Sequence, residues 1–296
     1  MEEDIRENHI IYEYKNESED INKKDVTTDS LKENKNEISK LDTEIDKYFF
    51  TVLNSMAIYK NIYTKDNMKL LEKWGLTKME LTLFRFNIAL NNILIDKFIR
   101  DFFNDNQVKI SCPGLSNSIL FSKSDNVDKV TYDELTLNST NLDPLDVVYD
   151  KKLVNRETGY IKKDFEETYE EIALTDKLKS ALVNPECEYY DTFNDVLRKE
   201  FIFRIFQHIS IGGSLNQFED YAGEYFNMTK SFYKDLVSAY KENGKIKIRT
   251  RVFHIKKLND KSLFKNEFNP QNFLYLIIDP YQKTIAVWYN KWENFW

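Results

Sequence analysis

The stretch that decides the fold is FIFRIFQHISIGGSLNQFEDYAGEYFNMTKSFYKDLV at residues 201–237, followed by KIKIRTRVFHI at 245–255 and FLYLIIDPYQKTIAVWY at 273–289. The first part predicts an apolar helix that ends at Gly212-Gly213, because paired glycines permit a left-handed exit from a helix. An aromatic and acidic segment and a second helix over about 221–237 follow. This succession indicates helices that pack on strands formed later in the chain.

Three strands are predicted after the second helix. They cover about 245–255, 272–278 and 284–290, where β-branched and aromatic residues are frequent. The last two are joined across Asp279-Pro280-Tyr281-Gln282-Lys283, and this segment is typical of a hairpin turn because proline and aspartate favour turns. The basic run KIKIRTR alternates with apolar residues and is interpreted as the solvated face of a strand.

Upstream of residue 201 the pattern predicts a mixture of helices and strands. Thr77 with Glu80 has the spacing of a capping box, and an apolar stripe continues to about Phe103. Asp143-Pro144 starts a turn. The predicted helices are YFFTVLNSMAIY at 48–59, KDNMKLLEKW at 65–74 ending at Gly75, the helix opened by Thr77, a stretch over 164–171, one opened by Thr175, and a long one capped by Thr192. The predicted strands are QVKIS at 107–111, SILFS at 118–122 and VTYDELTL at 130–137.

These elements predict an α+β fold, with helices packed on a mostly antiparallel sheet that ends in a strand and a β-hairpin. Residues 1–44 are predicted to form a disordered acidic tail, since residues 1–40 contain 12 acidic and 7 basic residues and few large apolar ones. Residues 45–296 are predicted to form a single domain. Two lobes, about 45–145 and 146–296, are the alternative.

The charge, the cysteine content and the hydropathy of the chain indicate which partners and which cellular compartment to expect. The remaining 37 acidic and 35 basic residues leave a nearly neutral body, which argues against nucleic acid as a partner. Cys112 and Cys187 form no disulfide framework, so a reducing compartment is expected. The chain shows no signal-peptide h-region and no apolar run long enough for a membrane span, so we expect a cytosolic protein without a membrane partner.

The sequence contains no recognisable catalytic motif. Its three histidines are His9, His208 and His254, and no HExxH, CxxC or EF-hand pattern occurs, so neither a metal nor a cofactor is expected. Gly212-Gly213-Ser214 follows a helix and lacks the lysine of a phosphate loop, which favours a plain turn. Cys187 with His208 has generic spacing for a nucleophile pair. The adjacent acids Glu219-Asp220 and Glu166-Glu167 are typical of solvated faces, and no catalytic residue is predicted.

Several segments together resemble the cilia- and flagella-associated protein 300 family, in order over about 48–289. They are LLEKWGL at 70–76, GYIKKDFEETYEEIALTDKL at 159–178, FIFRIFQHISIGGSLNQFEDY at 201–221, TKSFYKDLVS at 229–238 and FLYLIIDPYQKTIAVWY at 273–289. The resemblance implies a factor that assembles outer and inner dynein arms of motile cilia and flagella. It also implies a mainly cytoplasmic location with a pool at the axoneme, and it assigns no catalytic residue.

This chain departs from the family pattern in three places. Ser210 and Asn216 stand where the family often has cysteines around the Gly-Gly turn, and the acidic tail and the ending KWENFW match nothing in the pattern. Trp292 and Trp296 in that ending share a face if it forms a helical turn. Folding back onto the body is the preferred interpretation, and an aromatic hook for a partner is the alternative.

The resemblance implies a non-enzymatic factor that acts by protein–protein binding. The expected partners are dynein arm assembly factors, axonemal dynein subunits and the intraflagellar transport machinery. One alternative is an enzyme that uses His208, Glu219 and Asp220 at the Gly-Gly turn. Another is a permanent structural component of the axoneme. A deep pocket lined by those three residues favours the enzyme, whereas a turn packed on the body favours the binding protein.

Overall fold

Antiparallel strands form the centre of the protein, in the computed structural model that describes residues 47–116 and 126–293. The strands are β1 Phe50–Leu53, β2 Glu80–Phe86, β3 Val130–Leu135, β4 Lys163–Tyr169, β5 Ile172–Asp176, β6 Ala239–Glu242, β7 Lys245–Ile248, β8 Arg251–Leu258, β9 Lys261–Ser262, β10 Phe273–Asp279 and β11 Thr284–Asn290. Seven of them form one sheet in the order β1-β2-β11-β10-β8-β3, with β9 beside β8. The pairs β4-β5 and β6-β7 form separate hairpins.

Helices surround this sheet. Within the described residues the α-helices are α1 Ser55–Ile58, α2 Lys65–Lys73, α3 Ile95–Asn104, α4 Asn106–Ser111, α5 Pro113–Ser116, α6 Val147–Asp150, α7 Lys177–Val183, α8 Asp195–Arg198, α9 Phe201–Ile211 and α10 Gly223–Leu236. Short 3-10 helices lie at Asn92–Leu94, Asp143–Asp146 and Tyr190–Thr192. The predicted α+β fold class, with helices on a mostly antiparallel sheet, is confirmed.

The sheet separates two hydrophobic cores. Every residue of β10 is buried, and alternate side chains point to opposite faces. Tyr275 and Ile277 belong to the core beneath α7, α9 and α10, which we call the large core. Leu274, Leu276 and Ile278 belong to the core beneath α3 and α4, which we call the small core. The two-sided burial explains why β10 is a continuous apolar run rather than an alternating one.

The predictions for the last third of the chain are confirmed in outline. α9 ends where Gly212 has φ +70°, and α10 and the β10–β11 hairpin follow. The Asp279 carboxylate accepts hydrogen bonds from the backbone N–H groups of Tyr281 and Gln282, at 2.9 and 3.0 Å, which stabilises the predicted turn. The predicted strand over 245–255 is instead the two strands β7 and β8.

Two helix predictions within residues 48–103 are wrong in type or in starting point. The helix predicted over 48–59 is β1 followed by the short α1, and the helix predicted from Thr77 begins only at Ile95. The intervening β2 lies inside the sheet between β1 and β11, and this pairing with distant parts of the chain outweighs the local helical pattern. Glu80 caps no helix there, because its carboxylate accepts a hydrogen bond from Gly114 N at 2.7 Å.

Local caps explain further corrections. Residues 107–111 lie in helix α4 and not in a strand, because Asp105 Oδ1 accepts hydrogen bonds from two backbone N–H groups of the first turn. The helix predicted over 164–171 is strand β4, paired with β5. Asp176, not Thr175, caps α7, and Asn194, not Thr192, caps α8, which is separate from α9.

Other predictions are confirmed or lie outside the described residues. Helix α2 ends before Gly75, which has φ +67°, and strand β3 forms within the predicted range 130–137. Asp143 and Pro144 begin a 3-10 helix. The acidic tail 1–44 and the strand predicted over 118–122 fall on residues that are not described. The division into domains stays a prediction.

Candidate functional site

The Gly-Gly turn after α9 packs against the end of α2. Gly212 has φ +70° and ψ −169°, a conformation that side chains with a Cβ avoid. Gly213 N donates a hydrogen bond to Trp74 O at 2.8 Å, and a Cβ on Gly213 would lie 2.1 Å from Gly75 O. The backbone N–H of Gly213 is therefore engaged with the protein itself. The turn closes the contact between α9 and α2, as the plain-turn interpretation predicts.

The two acids after this turn hold different segments. The Glu219 carboxylate accepts hydrogen bonds from Lys73 Nζ at 2.7 Å and from Trp74 Nε1 at 2.9 Å. Asp220 accepts from Lys163 Nζ at 2.6 Å, and this hydrogen bond lowers the pKa of the Asp220 carboxyl. Glu219 therefore binds the end of α2, whereas Asp220 binds the first residue of β4. Their adjacent positions in the chain do not give a paired-acid site.

His208 lies in the large core. Gln271 Nε2 donates to the carbonyl oxygens of His208 and Gly212, so its amide oxygen faces the imidazole and accepts from Nδ1 at 3.0 Å. Nε2 is therefore the unprotonated nitrogen, and it accepts from the Tyr275 hydroxyl at 2.9 Å. Burial lowers the pKa of His208 to about 3. The imidazole is neutral and both nitrogens are occupied.

Sequence reasoning missed the partners of His208. Gln271 and Tyr275 stand 63 and 67 residues further along the chain, and no spacing rule connects residues so far apart. The ring of Phe273 stacks on the imidazole with centroids 3.8 Å apart. The only signal in the sequence is the place of His208 in an apolar helix, which predicts burial and not a particular partner.

The remaining candidate residues also have separate environments. Cys112 is buried, and burial raises the pKa of its thiol to about 12. Cys187 is half-buried with a pKa raised by burial, and both His208 nitrogens bind other groups, so the two do not pair as nucleophile and base. Glu167 accepts from Asn184 Nδ2, while Glu166 is exposed.

The basic run and the two positions that depart from the family pattern have structural contacts. In the run, Lys247 pairs with Glu242 and Arg251 with Glu134. Ser210 is buried in α9, and Asn216 Nδ2 donates to Ile211 O at 2.7 Å.

Across 47–116 and 126–293 no group of three or more histidine, cysteine or acidic side chains is placed to hold a metal ion. No helix in these ranges is long and apolar enough to span a membrane.

Two clefts, each of about 330 Å³, flank the Gly-Gly turn and share Trp292 in their walls. One is lined by Ile172, Ile211 and Phe218, and the other includes Leu215. Trp292 is half-buried against the large core, and its backbone N–H donates to Asn272 Oδ1 at 2.6 Å. Trp292 therefore folds back onto the body, and Trp296 lies outside the described residues. Mixed polar and apolar walls of this kind suit side chains of a protein partner.

Comparison with known proteins places this architecture in a family. A sequence model described as cilia- and flagella-associated protein 300 matches residues 47–290. A protein of that name from Paramecium tetraurelia is 32% identical over 235 residues, which cover 78% of this chain and 90% of that protein. Its namesake from Chlamydomonas reinhardtii is 26% identical over 253 residues, covering 82% and 97%. No solved structure matches. The chain belongs to the cilia- and flagella-associated protein 300 family and has a role associated with cilia and flagella.

Proposed function

We propose that the protein is a non-enzymatic factor for the assembly or transport of outer and inner axonemal dynein arms. It acts by protein–protein binding, mainly in the cytoplasm, with a pool at the axoneme. Its partners are dynein arm assembly factors or axonemal dynein subunits, together with the intraflagellar transport machinery. Loss of the protein therefore impairs the motility of cilia or flagella and not their formation.

The observation that carries this proposal is the family match over residues 47–290. It spans nearly all of the described chain, so the role in cilia and flagella belongs to the folded body and not to one short motif. The similarity to the Chlamydomonas protein covers 97% of that protein and 82% of this chain, which supports a role for most of the chain. We propose that this role is the assembly or transport of dynein arms.

The surroundings of the Gly-Gly turn support binding over chemistry. His208 lines a cleft that neither Glu219 nor Asp220 lines, and each of the three side chains has its own structural partner. The two clefts beside the turn, with their mixed polar and apolar walls, and the exposed side chain of Leu215 instead offer contact surface. A surface that lacks converging acid and base groups but offers both apolar and polar contacts suits a protein ligand.

The test is deletion of the gene in cells that build motile cilia or flagella. We expect cilia of normal length that beat weakly and lack dynein arms in cross-section by electron microscopy. Re-expression of the wild-type chain restores the arms. Normal arms in the deletion strain contradict the proposal.

Detergent extraction separates an assembly factor from a permanent axonemal component. We expect most of the protein in the soluble fraction of the cell body, with a small fraction that enters the cilium. Retention of most of the protein on extracted axonemes favours the structural component instead.

A further inference from the structure

Arg198 illustrates an arginine whose role is structural. It is buried at the end of α8, and Nε donates a hydrogen bond to Phe193 O at 2.8 Å. Its terminal nitrogens donate to three more backbone carbonyls, those of Ala181, Leu182 and Tyr190. The guanidinium thus ties several segments of the large core together. A buried cation is tolerated there because its donors are satisfied.

Arg204 lies six residues later, on α9, and unlike Arg198 it has few hydrogen-bond partners. Nη1 donates to Gln207 Oε1 at 3.0 Å, whereas Nε is buried and has no hydrogen-bond partner among residues 47–116 and 126–293. Over the same residues the guanidinium forms no ion pair. A half-buried cation without a counter-charge is costly, so proteins usually pair such groups. Arg204 therefore has both charge and donors available for a ligand.

Arg204 lies in a cleft of about 320 Å³, which also exposes His254 and Lys256 from strand β8. The imidazole of His254 packs beside the Tyr275 ring with centroids 4.6 Å apart, and its nitrogens form no hydrogen bond within the described part of the chain. The cleft thus contains two polar side chains with unused hydrogen-bonding atoms. Its size is at the lower end of the range for small-ligand pockets, which is about 300–1,000 Å³.

Two acidic side chains lie near Lys256, and one of them, Glu267, also lines the cleft. Lys256 Nζ lies 3.6 Å from an Asp133 oxygen, and Glu267 also acts on this ammonium. Burial lowers the pKa of His254, and the positive charges of Lys256 and Arg204 lower it further. The cleft therefore contains a guanidinium that forms no ion pair within the described part of the chain, beside a neutral imidazole.

We propose that this cleft is an oxyanion-binding site in which Arg204 binds a carboxylate or phosphate group. An arginine fork matches two oxygens of such a group, and the nearby His254 is able to form a further hydrogen bond. Phe264, Phe268 and Pro270 line the rim, and Phe268 is 80% exposed. The oxyanion is supplied by an acidic side chain flanked by apolar residues in a partner, or by free phosphate. The site is independent of the proposed role in dynein arm assembly.

Histidine NMR of the purified full chain tests the site directly, since only His9, His208 and His254 contribute signals. The probes are sodium phosphate, and a capped peptide with one glutamate between two leucines. Sodium chloride of equal ionic strength and the glutamine version of the peptide are the controls. We expect the oxyanion probes, and not their controls, to shift the His254 signals. A response to phosphate alone identifies a small-anion site, and a response to the peptide identifies a peptide site.

Variants separate a ligand-binding arginine from a structural one. Arg204→Met should weaken binding of the probe about tenfold or more, which is the usual effect of losing a charge-assisted hydrogen bond. Arg85→Met removes an exposed charge elsewhere and should leave binding unchanged. Without ligand, Arg204→Met should keep or raise the melting temperature, whereas Arg198→Met should lower it. The proposal is overturned if neither probe shifts His254, if Arg204→Met still binds, or if it destabilises as much as Arg198→Met.

Discussion

The two cores on opposite faces of the sheet are built from different interactions. In the small core, aromatic rings meet edge to face, as Phe98 does with Tyr48 at 4.7 Å and Phe102 with Phe50 at 4.9 Å. The large core also contains buried charged groups that are paired within the protein, as in the ion pair between Lys179 and Asp176 at 2.7 Å. The small core therefore depends on apolar area, whereas the large core also depends on charge and on hydrogen-bond geometry.

The largest effect is expected from Asp176→Ala in the large core. Both members of the ion pair are almost completely buried, and Asp176 also caps α7 through Lys179 N at 2.8 Å. Removing the carboxylate leaves a buried ammonium unpaired, so the free energy of unfolding should fall by about 3–5 kcal/mol, and loss of the cap adds to this. Chemical denaturation measures the change.

Two further variants sharpen this prediction. Lys129→Ala breaks an ion pair with Asp260 whose side chains are 63% and 68% exposed, and it should cost less than about 1 kcal/mol. Adding Lys179→Met to Asp176→Ala should recover part of the lost stability, because the uncompensated charge is then removed. Equal effects of Asp176→Ala and Lys129→Ala would show that burial of the pair does not matter.

Phe102→Ala is the corresponding change in the small core. The ring contacts those of Phe50, Phe84 and Phe103 and is completely buried, so its removal should cost about 3–5 kcal/mol. We expect the same loss at pH 5.5 and pH 7, because no titratable group is removed. Phe165→Ala, at a side chain that is 91% exposed, is the control and should change stability by less than about 0.5 kcal/mol. A strong pH dependence of the Phe102→Ala effect contradicts the distinction between the cores.

Gly213→Ala tests the contact between α9 and α2 at the edge of the large core. The added Cβ meets the backbone of Gly75, which cannot move as a side chain does, so a loss of about 1–3 kcal/mol is expected. Gly223→Ala adds the same methyl group where no atom lies within 4 Å, and it should be neutral or slightly stabilising. Thermal unfolding compares the two. Equal melting temperatures would mean that the turn accommodates a side chain.

The smallest expected effect is the pH response of His208. The folded-state pKa is about 3, below the ordinary value of 6.5, so the unfolded chain binds the proton first as the pH falls. The stability contributed by the neutral imidazole is complete above pH 6.5 and is lost progressively towards pH 3. Between pH 7 and pH 5.5 this loss amounts to about 1 kcal/mol.

His208→Gln should remove that part of the pH response, as measured by denaturation at the two pH values. His254 also has a lowered pKa because of burial, so a response in the same direction should remain. If the variant and the wild-type chain lose the same stability between pH 7 and pH 5.5, His208 does not carry the response.

Local signals in the sequence predicted some parts of this molecule and failed for others. At Gly212 and at the Asp279 turn, a few neighbouring residues determine the backbone conformation. The sequence therefore predicts the end of α9 and the β10–β11 hairpin. Strand β2 was assigned to a helix because its environment comes from β11, far along the chain. The contacts of His208 with Gln271 and Tyr275 also depend on distant elements, and no local pattern predicts them.

The place of β11 in the sheet has a consequence for biosynthesis. This strand, made after all the others described here, lies between β2 and β10 and pairs with both. Until β11 leaves the ribosome, β2 and β10 each have an unpaired edge. The side chains that β11 contributes to both cores are also missing. Strand edges of this kind attract other chains. The nascent protein is thus expected to need chaperone protection until β11 has emerged from the ribosome, so premature stop codons just before β11 should be as harmful as early ones.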